Sequence, residues 1–220
     1  MTPEMQTEGR SRMKISASAL LAVFGLAMLP PLLEARRFET PPWRASLALG
    51  GGIFYPSQSP VRTLYGNVSF PLHFQLDVRL GGAFSVVAAY RFLGASGSTV
   101  IVGPSVEEES YGLRLNIHSV RAGFRLDSAL GRSRIFAQFG AAYNVYQESW
   151  KDAGISVDGR LAGIFLAAGT EIPVGRAWAV QLRLEYASVP TDKGGLLDPD
   201  IDLGGADAVL GVVYRFGRRR

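Results

Sequence analysis

From Val180 to Tyr186 the chain reads VQLRLEY, with apolar and polar residues alternating without a break. An extended strand places Val180, Leu182, Leu184 and Tyr186 on one face and Gln181, Arg183 and Glu185 on the other. Such runs, bounded by Gly, Pro, Asn, Asp or Ser, recur after Ala35, with no helix-period segment of useful length between them. They predict eight strands: Arg44–Tyr55, Val68–Leu80, Ala83–Leu93, Tyr111–Leu126, Arg134–Tyr146, Arg160–Ile172, Ala177–Ser188 and Ala206–Phe216.

Connection lengths then alternate long and short. PSQSPVRTLYGN, GASGSTVIVGPSVEEES, QESWKDAGISVDG and VPTDKGGLLDPDIDLGG are long, whereas GG, DSALGRS and PVGR are short. An antiparallel meander gathers alternate connections at one end, which predicts an all-β, eight-stranded antiparallel up-and-down transmembrane β-barrel. The faces agree. Phe70, Leu72, Phe74, Leu76, Val78 and Leu80 oppose Ser69, Pro71, His73, Gln75, Asp77 and Arg79, and the last strand sets Ala208, Leu210, Val212, Tyr214 and Phe216 against Asp207, Val209, Gly211, Val213 and Arg215.

The same alternation would serve a soluble barrel around an apolar cavity. Three features favour lipid outside: the polar face is rich in Gly and Ala, which suit a crowded interior, the apolar face carries aromatics near both strand ends, and the N-terminal segment reads as an export signal. Trp178, Phe84, Phe124, Tyr214 and Phe216 form one predicted girdle, and Tyr55, Phe92, Tyr143 and Tyr186 the other. Two positions break the pattern. Pro71 cannot donate to a ladder, which predicts a bulge or a ragged loop end there. The fourth strand changes phase, from odd-numbered Leu113, Leu115 and Ile117 to even-numbered Val120, Ala122, Phe124 and Leu126, which predicts a bulge near His118 and Ser119.

Composition narrows the function classes. The 220 residues are 47% hydrophobic and 19% charged, more apolar than a typical soluble domain. There is no cysteine, which excludes disulfides, thiol catalysis and thiolate metal sites; two histidines make a His-rich metal site improbable. Lys14 precedes the apolar run Ile15–Leu33, and LEA at Leu33–Ala35 marks an expected signal-peptide cleavage after Ala35, in preference to a membrane anchor. The division is therefore residues 1–35 as N-terminal extension and signal peptide and 36–220 as barrel, with Met13 an alternative start to Met1. The net charge of +4 is spread along the chain rather than gathered into a stripe with interleaved aromatics, which argues against nucleic acid as a partner.

With LYG at Leu64–Gly66, YRF at Tyr90–Phe92 leading into GASGST, and the closing VLGVVYRF at Val209–Phe216, the chain resembles the small eight-stranded outer-membrane β-barrel families of the OmpA, OmpX and OmpW type. The resemblance implies residence in the outer membrane of a Gram-negative-type envelope, contact with its lipids and lipopolysaccharide, and a monomer. It also implies a terminal signal read by the barrel-assembly machinery, matched here by Gly211, Tyr214 and Phe216. In that pattern the Phe is usually the last residue, whereas GRRR follows Phe216 here.

An eight-stranded barrel has an interior just wide enough for side chains. Lone charges there are costly, so Asp77, Arg79, Arg91, Arg121, Glu171, Arg183 and Glu185 are expected to form a lumen charge network in which Arg183, Arg91 and Arg121 pair with Glu185, Glu171 or Asp77. Arg114, Arg125, Gln181 and Arg215 are also read as inward. The expected function is a structural or interaction role with a plugged lumen; a narrow pore for ions or small solutes and a lipid A-modifying enzyme are the alternatives. The long-loop end is acidic, through Glu107, Glu108, Glu109, Glu148, Asp152, Asp158, Asp192, Asp198, Asp200 and Asp202, which suits divalent cations or a basic extracellular ligand of unknown identity. Asp198, Asp200 and Asp202 have the spacing of a cation-binding loop, but Leu203 and Val209 stand where an EF-hand needs Gly and Glu. No cofactor or metal is expected. Nor is catalysis, since His118 and Ser119 are neighbours on opposite faces unless a bulge intervenes and no motif marks a nucleophile.

Overall fold

A computed structural model describes residues 43–101, 109–151, 153–190 and 202–217. The expected signal segment and the loop residues Glu107, Glu108, Asp152, Asp192, Asp198 and Asp200 lie outside them. The strands are β1 (Ala45–Pro56), β2 (Leu72–Gly81), β3 (Phe84–Ile101), β4 (Glu109–Leu130), β5 (Ser133–Trp150), β6 (Ile155–Pro173), β7 (Trp178–Ser188) and β8 (Gly205–Phe216). Each pairs antiparallel with its neighbours in sequence, and β8 pairs with β1 from Ala45↔Phe216 to Pro56↔Gly205. The sheet thus closes on itself, and within the ring every strand has a partner on both sides.

The middle strands run well past their predicted ends. β3 and β4 pair out to Ile101↔Glu109, and β5 and β6 out to Trp150↔Ile155, so much of two expected loops is hairpin. A membrane-crossing strand needs only about 9–11 residues; β4 has 22. In these extensions small and polar residues occupy both faces. Their sequences (GASGST, QES, SVDG) carry no alternation there, which is why they read as loops. Between β1 and β2 the chain forms a short helix, α1 (Ser59–Tyr65), with Pro60 in its first turn and Val61 and Tyr65 buried. Gly97 of β3 lies directly against it: a Cβ there would fall 1.7 Å from the Leu64 carbonyl oxygen.

The bulge expected near His118 and Ser119 is absent, and of the two outcomes expected at Pro71 the structure shows the ragged loop end. The β3–β4 and β4–β5 registers run unbroken through His118 and Ser119. The apparent phase change arises because Leu113, Leu115 and Ile117 point into the barrel and are buried, while Val120 and Phe124 point out. The lumen changes from apolar to polar along its length, and the strand keeps its phase. Pro71 sits just before β2 begins, at the ragged loop end, with its carbonyl accepting from Gly52 N at 3.2 Å and the β1–β2 register intact across it. The shift that does occur lies at the other end of β2, between Arg79 and Gly81, beside the tight turn at Gly82 (φ 51°).

Orientation is unambiguous in β7. Leu182 is 50% exposed and Arg183 3%. Around the whole ring Leu49, Phe74, Phe84, Val120, Phe139, Ile164, Leu182 and Leu210 form an exposed apolar belt, whereas Gln75, Asp77, Ser85, Arg125, Gln138 and Glu171 are fully buried. A belt of this kind on a water-exposed protein would far exceed the apolar patches tolerated by soluble monomers. At the short-turn end Trp178 and Tyr214 meet at 4.8 Å between centroids, and Tyr214 stacks on Phe216 at 6.3 Å.

Candidate functional site: the barrel interior

Because inward positions alternate along every strand, the charged residues of the lumen are determined by parity, and the closed register brings them face to face. They fall into two groups. Towards the short turns Arg125, with no solvent exposure, donates from Nε and Nη2 to Asp127 Oδ1 (2.9 and 2.7 Å), from Nη1 to Asp77 Oδ2 (3.2 Å) and from Nη2 to Glu171 Oε1 (2.5 Å). Its guanidinium lies 4.0 Å from the centroid of the Phe136 ring. Gly169 makes room for that ring, since a Cβ there would stand 2.6 Å from Phe136 Cζ. The carboxylates have further partners: Arg79 reaches Asp127 (3.1 Å), Arg215 reaches Glu171 (2.6 Å), and Ser46 and Gln75 donate to Asp77 (3.1 and 2.7 Å).

The second group lies deeper toward the loop end. Arg91 pairs side-on with Asp207 through Nε and Nη2 (2.9 and 3.1 Å) and stacks over Phe54. Arg121 pairs with Glu185 and donates from Nε to Ser119 Oγ. Arg183 donates to Gln75 Oε1 (2.5 Å), lies 3.7 Å from Glu185 and approaches His73 Nδ1 at 2.6 Å. A guanidinium can only donate. Nδ1 of His73 is therefore the acceptor, and the ring is neutral with its proton on Nε2, which faces Asp207 at 3.8 Å.

Above the charges the lumen turns apolar. Phe54, Val61, Tyr65, Leu93, Leu113, Leu115, Ile117, Tyr146, Leu161, Phe165, Val189 and Leu203 pack into one buried cluster, with α1 contributing two of its members. Burial and the neighbouring Glu148 carboxylate hold the Tyr65 phenol above its ordinary value. At the opposite mouth Trp43, just before β1, is buried under the guanidiniums of Arg79, Arg134 and Arg215, at 4.5, 5.6 and 5.8 Å from its ring.

The structure places all seven expected lumen residues (Asp77, Arg79, Arg91, Arg121, Glu171, Arg183 and Glu185) inside and buried. Of the expected pairings, Arg121 and Arg183 do meet Glu185; Arg91 meets Asp207, and Asp77 and Glu171 are held by Arg125. Parity alone finds Asp207, and also Asp127, which the turn composition of DSALGRS assigns to a connection. Trp43 precedes any alternation and left no signal. Arg114, expected inside, points outward from the upper part of β4, in step with unbroken parity. Glu148, expected on an acidic rim, points inward and accepts from Trp150 Nε1 at 2.9 Å.

Asp202 is occupied within the fold: its carboxylate accepts from Ser188 Oγ (2.9 Å), Val189 N (2.6 Å) and Gly204 N (2.7 Å). With no bulge, Ser119 is buried inside while His118 lies outside, its Nδ1 2.6 Å from the Tyr90 hydroxyl. The wall separates this pair. Gly211 faces in, and Tyr214 and Phe216 face out.

No protein-family model and no curated protein matches the sequence. Solved structures do. Neisserial surface protein A aligns over 78% of this chain and 97% of its own, with a TM-score of 0.58 at 11% identity. The outer membrane protein OprG from Pseudomonas aeruginosa aligns over 82% and 99%, with a TM-score of 0.57 at 11% identity. The attachment invasion locus protein Ail of Yersinia pestis, solved with the heparin analogue sucrose octasulfate, aligns over 79% and 97%, with a TM-score of 0.50 at 12% identity. The fold is that of the small barrels of the bacterial outer membrane, with the apolar belt toward lipid.

Proposed function

We propose that this outer-membrane barrel has a structural or interaction role, with a lumen plugged by its own side chains and long loops as its working surface. One observation carries the reading: buried ion pairs cross the lumen from strand to strand, and an apolar cluster lies over them at the loop end. An ion entering from outside would have to leave water, pass Leu113, Leu115 and Ile117, and displace paired guanidiniums, each step costing several kcal/mol. In planar bilayers the purified protein is expected to give no steady single-channel openings. Reproducible openings whose conductance shifts in Glu185→Gln would replace this reading with the narrow pore.

The loop end supplies the interaction surface. Its remaining acidic residues, Glu107, Glu108, Glu109, Asp152, Asp158, Asp192, Asp198 and Asp200, favour divalent cations that bridge to lipid phosphates, or a basic partner. The polyanion held by Ail would meet repulsion here. Assembly would rest on Gly211, Tyr214 and Phe216 as the signal read by the barrel-assembly machinery, and the closed ring suits a monomer.

A further inference from the structure

Counting the charges on the loop-side tier of the lumen leaves a remainder. Three guanidiniums, those of Arg91, Arg121 and Arg183, face two carboxylates, Glu185 and Asp207, and all five side chains are nearly fully buried. His73 adds neither sign, because its Nδ1 accepts from Arg183. The count depends on strand parity and not on rotamers. Neighbouring groups do not correct it. The tier toward the short turns also carries more guanidiniums than carboxylates, and its surplus reaches the open mouth, where Arg134 is only partly buried. Glu148, whose carboxylate accepts from Trp150 Nε1, stands six residues along β5 toward the loops from Ala142, the register partner of Arg121. Arginine does not lose its proton in proteins, so the surplus positive charge of the inner tier is permanent, and an uncompensated buried charge is among the costliest features a fold can carry.

The same tier borders a small, partly open pocket. It is lined by Arg91, Arg121 and Asn144 on its polar side and by Phe54, Ile117, Tyr146 and Leu161 on its apolar side, about the size of one water molecule, so that a larger guest needs its side chains to shift. Each guanidinium is paired with one carboxylate and Asn144 Nδ2 donates to the Leu161 carbonyl, but their remaining N–H groups lie beside an apolar wall, a setting that suits a weakly hydrated monovalent anion. We infer that the lumen encloses one small anion, chloride in ordinary buffers, between Arg91 and Arg121, as the counter-charge of the inner tier. This rests on the closed-lumen reading only in that the apolar cluster keeps the ion from exchanging freely with solvent.

The test refolds the full barrel in sodium chloride, sodium bromide or sodium gluconate at equal ionic strength, so that general screening is constant. Crystals grown in bromide are expected to show an anomalous peak beside the Arg91 and Arg121 guanidiniums. The unfolding midpoint is expected to be about 2–4 °C higher in chloride than in gluconate. Arg121→Gln balances the tier and should abolish that difference; Asp207→Asn enlarges the surplus and should widen it. A wild-type barrel with no bromide at the guanidiniums, or with the same midpoint in both salts, overturns the inference. Should Arg121→Gln not fold, the bromide map and Asp207→Asn decide. Conductance distinguishes the two ideas: steady openings would remove the plug whatever the bromide map shows, and a silent bilayer with no bromide would remove the anion alone.

Discussion

Removing Arg125 tests how the lumen is held together. Arg125→Met keeps an unbranched apolar stem but removes the guanidinium that stacks on Phe136 and leaves three buried carboxylates without their shared partner. They are not equally stranded. Asp127 keeps Arg79 and Glu171 keeps Arg215, whereas Asp77 retains only the neutral donors Ser46 and Gln75. Breaking a buried pair by deleting one partner costs about 3–5 kcal/mol, mostly the penalty of the charge left behind. The single variant should lose about that much, measured by reversible urea unfolding in phospholipid vesicles and followed by tryptophan fluorescence. If Asp77 is the stranded charge, Arg125→Met/Asp77→Asn should recover roughly 2 kcal/mol, a coupling within the range for contacting residues. Arg125→Met/Glu171→Gln should recover less, since it leaves Arg215 unpaired in turn. A loss below about 1 kcal/mol for Arg125→Met, or a larger rescue by Glu171→Gln than by Asp77→Asn, would refute this account of the network.

Other perturbations probe the two faces and the loop end. Leu182→Arg should destabilise the vesicle-embedded barrel by about 2–4 kcal/mol if that position meets the lipid midplane; a near-neutral effect would place it in water. Leu115→Ala should cost about 2–5 kcal/mol by opening a cavity in the apolar cluster, and an unchanged unfolding midpoint would show the cluster to be loose. A raised Tyr65 pKa means that the folded barrel resists ionising a phenol that the unfolded chain ionises near pH 10. Its contribution is therefore complete below that pH and lost above it, so Tyr65→Phe should be less alkali-sensitive than wild type in proteolysis of the loop end; identical pH profiles would count against the placement. Gly97→Ala should displace α1 from β3, read as faster protease cleavage between Ser57 and Gly66, and unchanged cleavage would mean that the helix accommodates the methyl group.

Much of this barrel was legible in the chain. Period-2 alternation located every strand core, long and short connections gave the meander its ends, and parity put Asp77, Arg79, Arg91, Arg121, Glu171, Arg183 and Glu185 inside. These are local properties, since a pleated strand assigns each residue to a face by its number alone. Where small and polar residues occupy both faces the signal vanishes. The upper hairpins of β3–β6 therefore read as loops, and Leu113, Leu115 and Ile117, pointing into an apolar part of the lumen, read as a slipped phase.

VQLRLEY shows the division of labour. By itself the sequence determined that Arg183 and Glu185 share a face opposite Leu182 and Leu184. Only ring closure decided which charges meet across it, bringing Gln75 and His73 of β2 to Arg183, Arg121 of β4 to Glu185 and Asp207 of β8 to Arg91 of β3. Pairing across a lumen depends on strand order, tilt and register around the whole barrel, and these are set by all eight strands closing together.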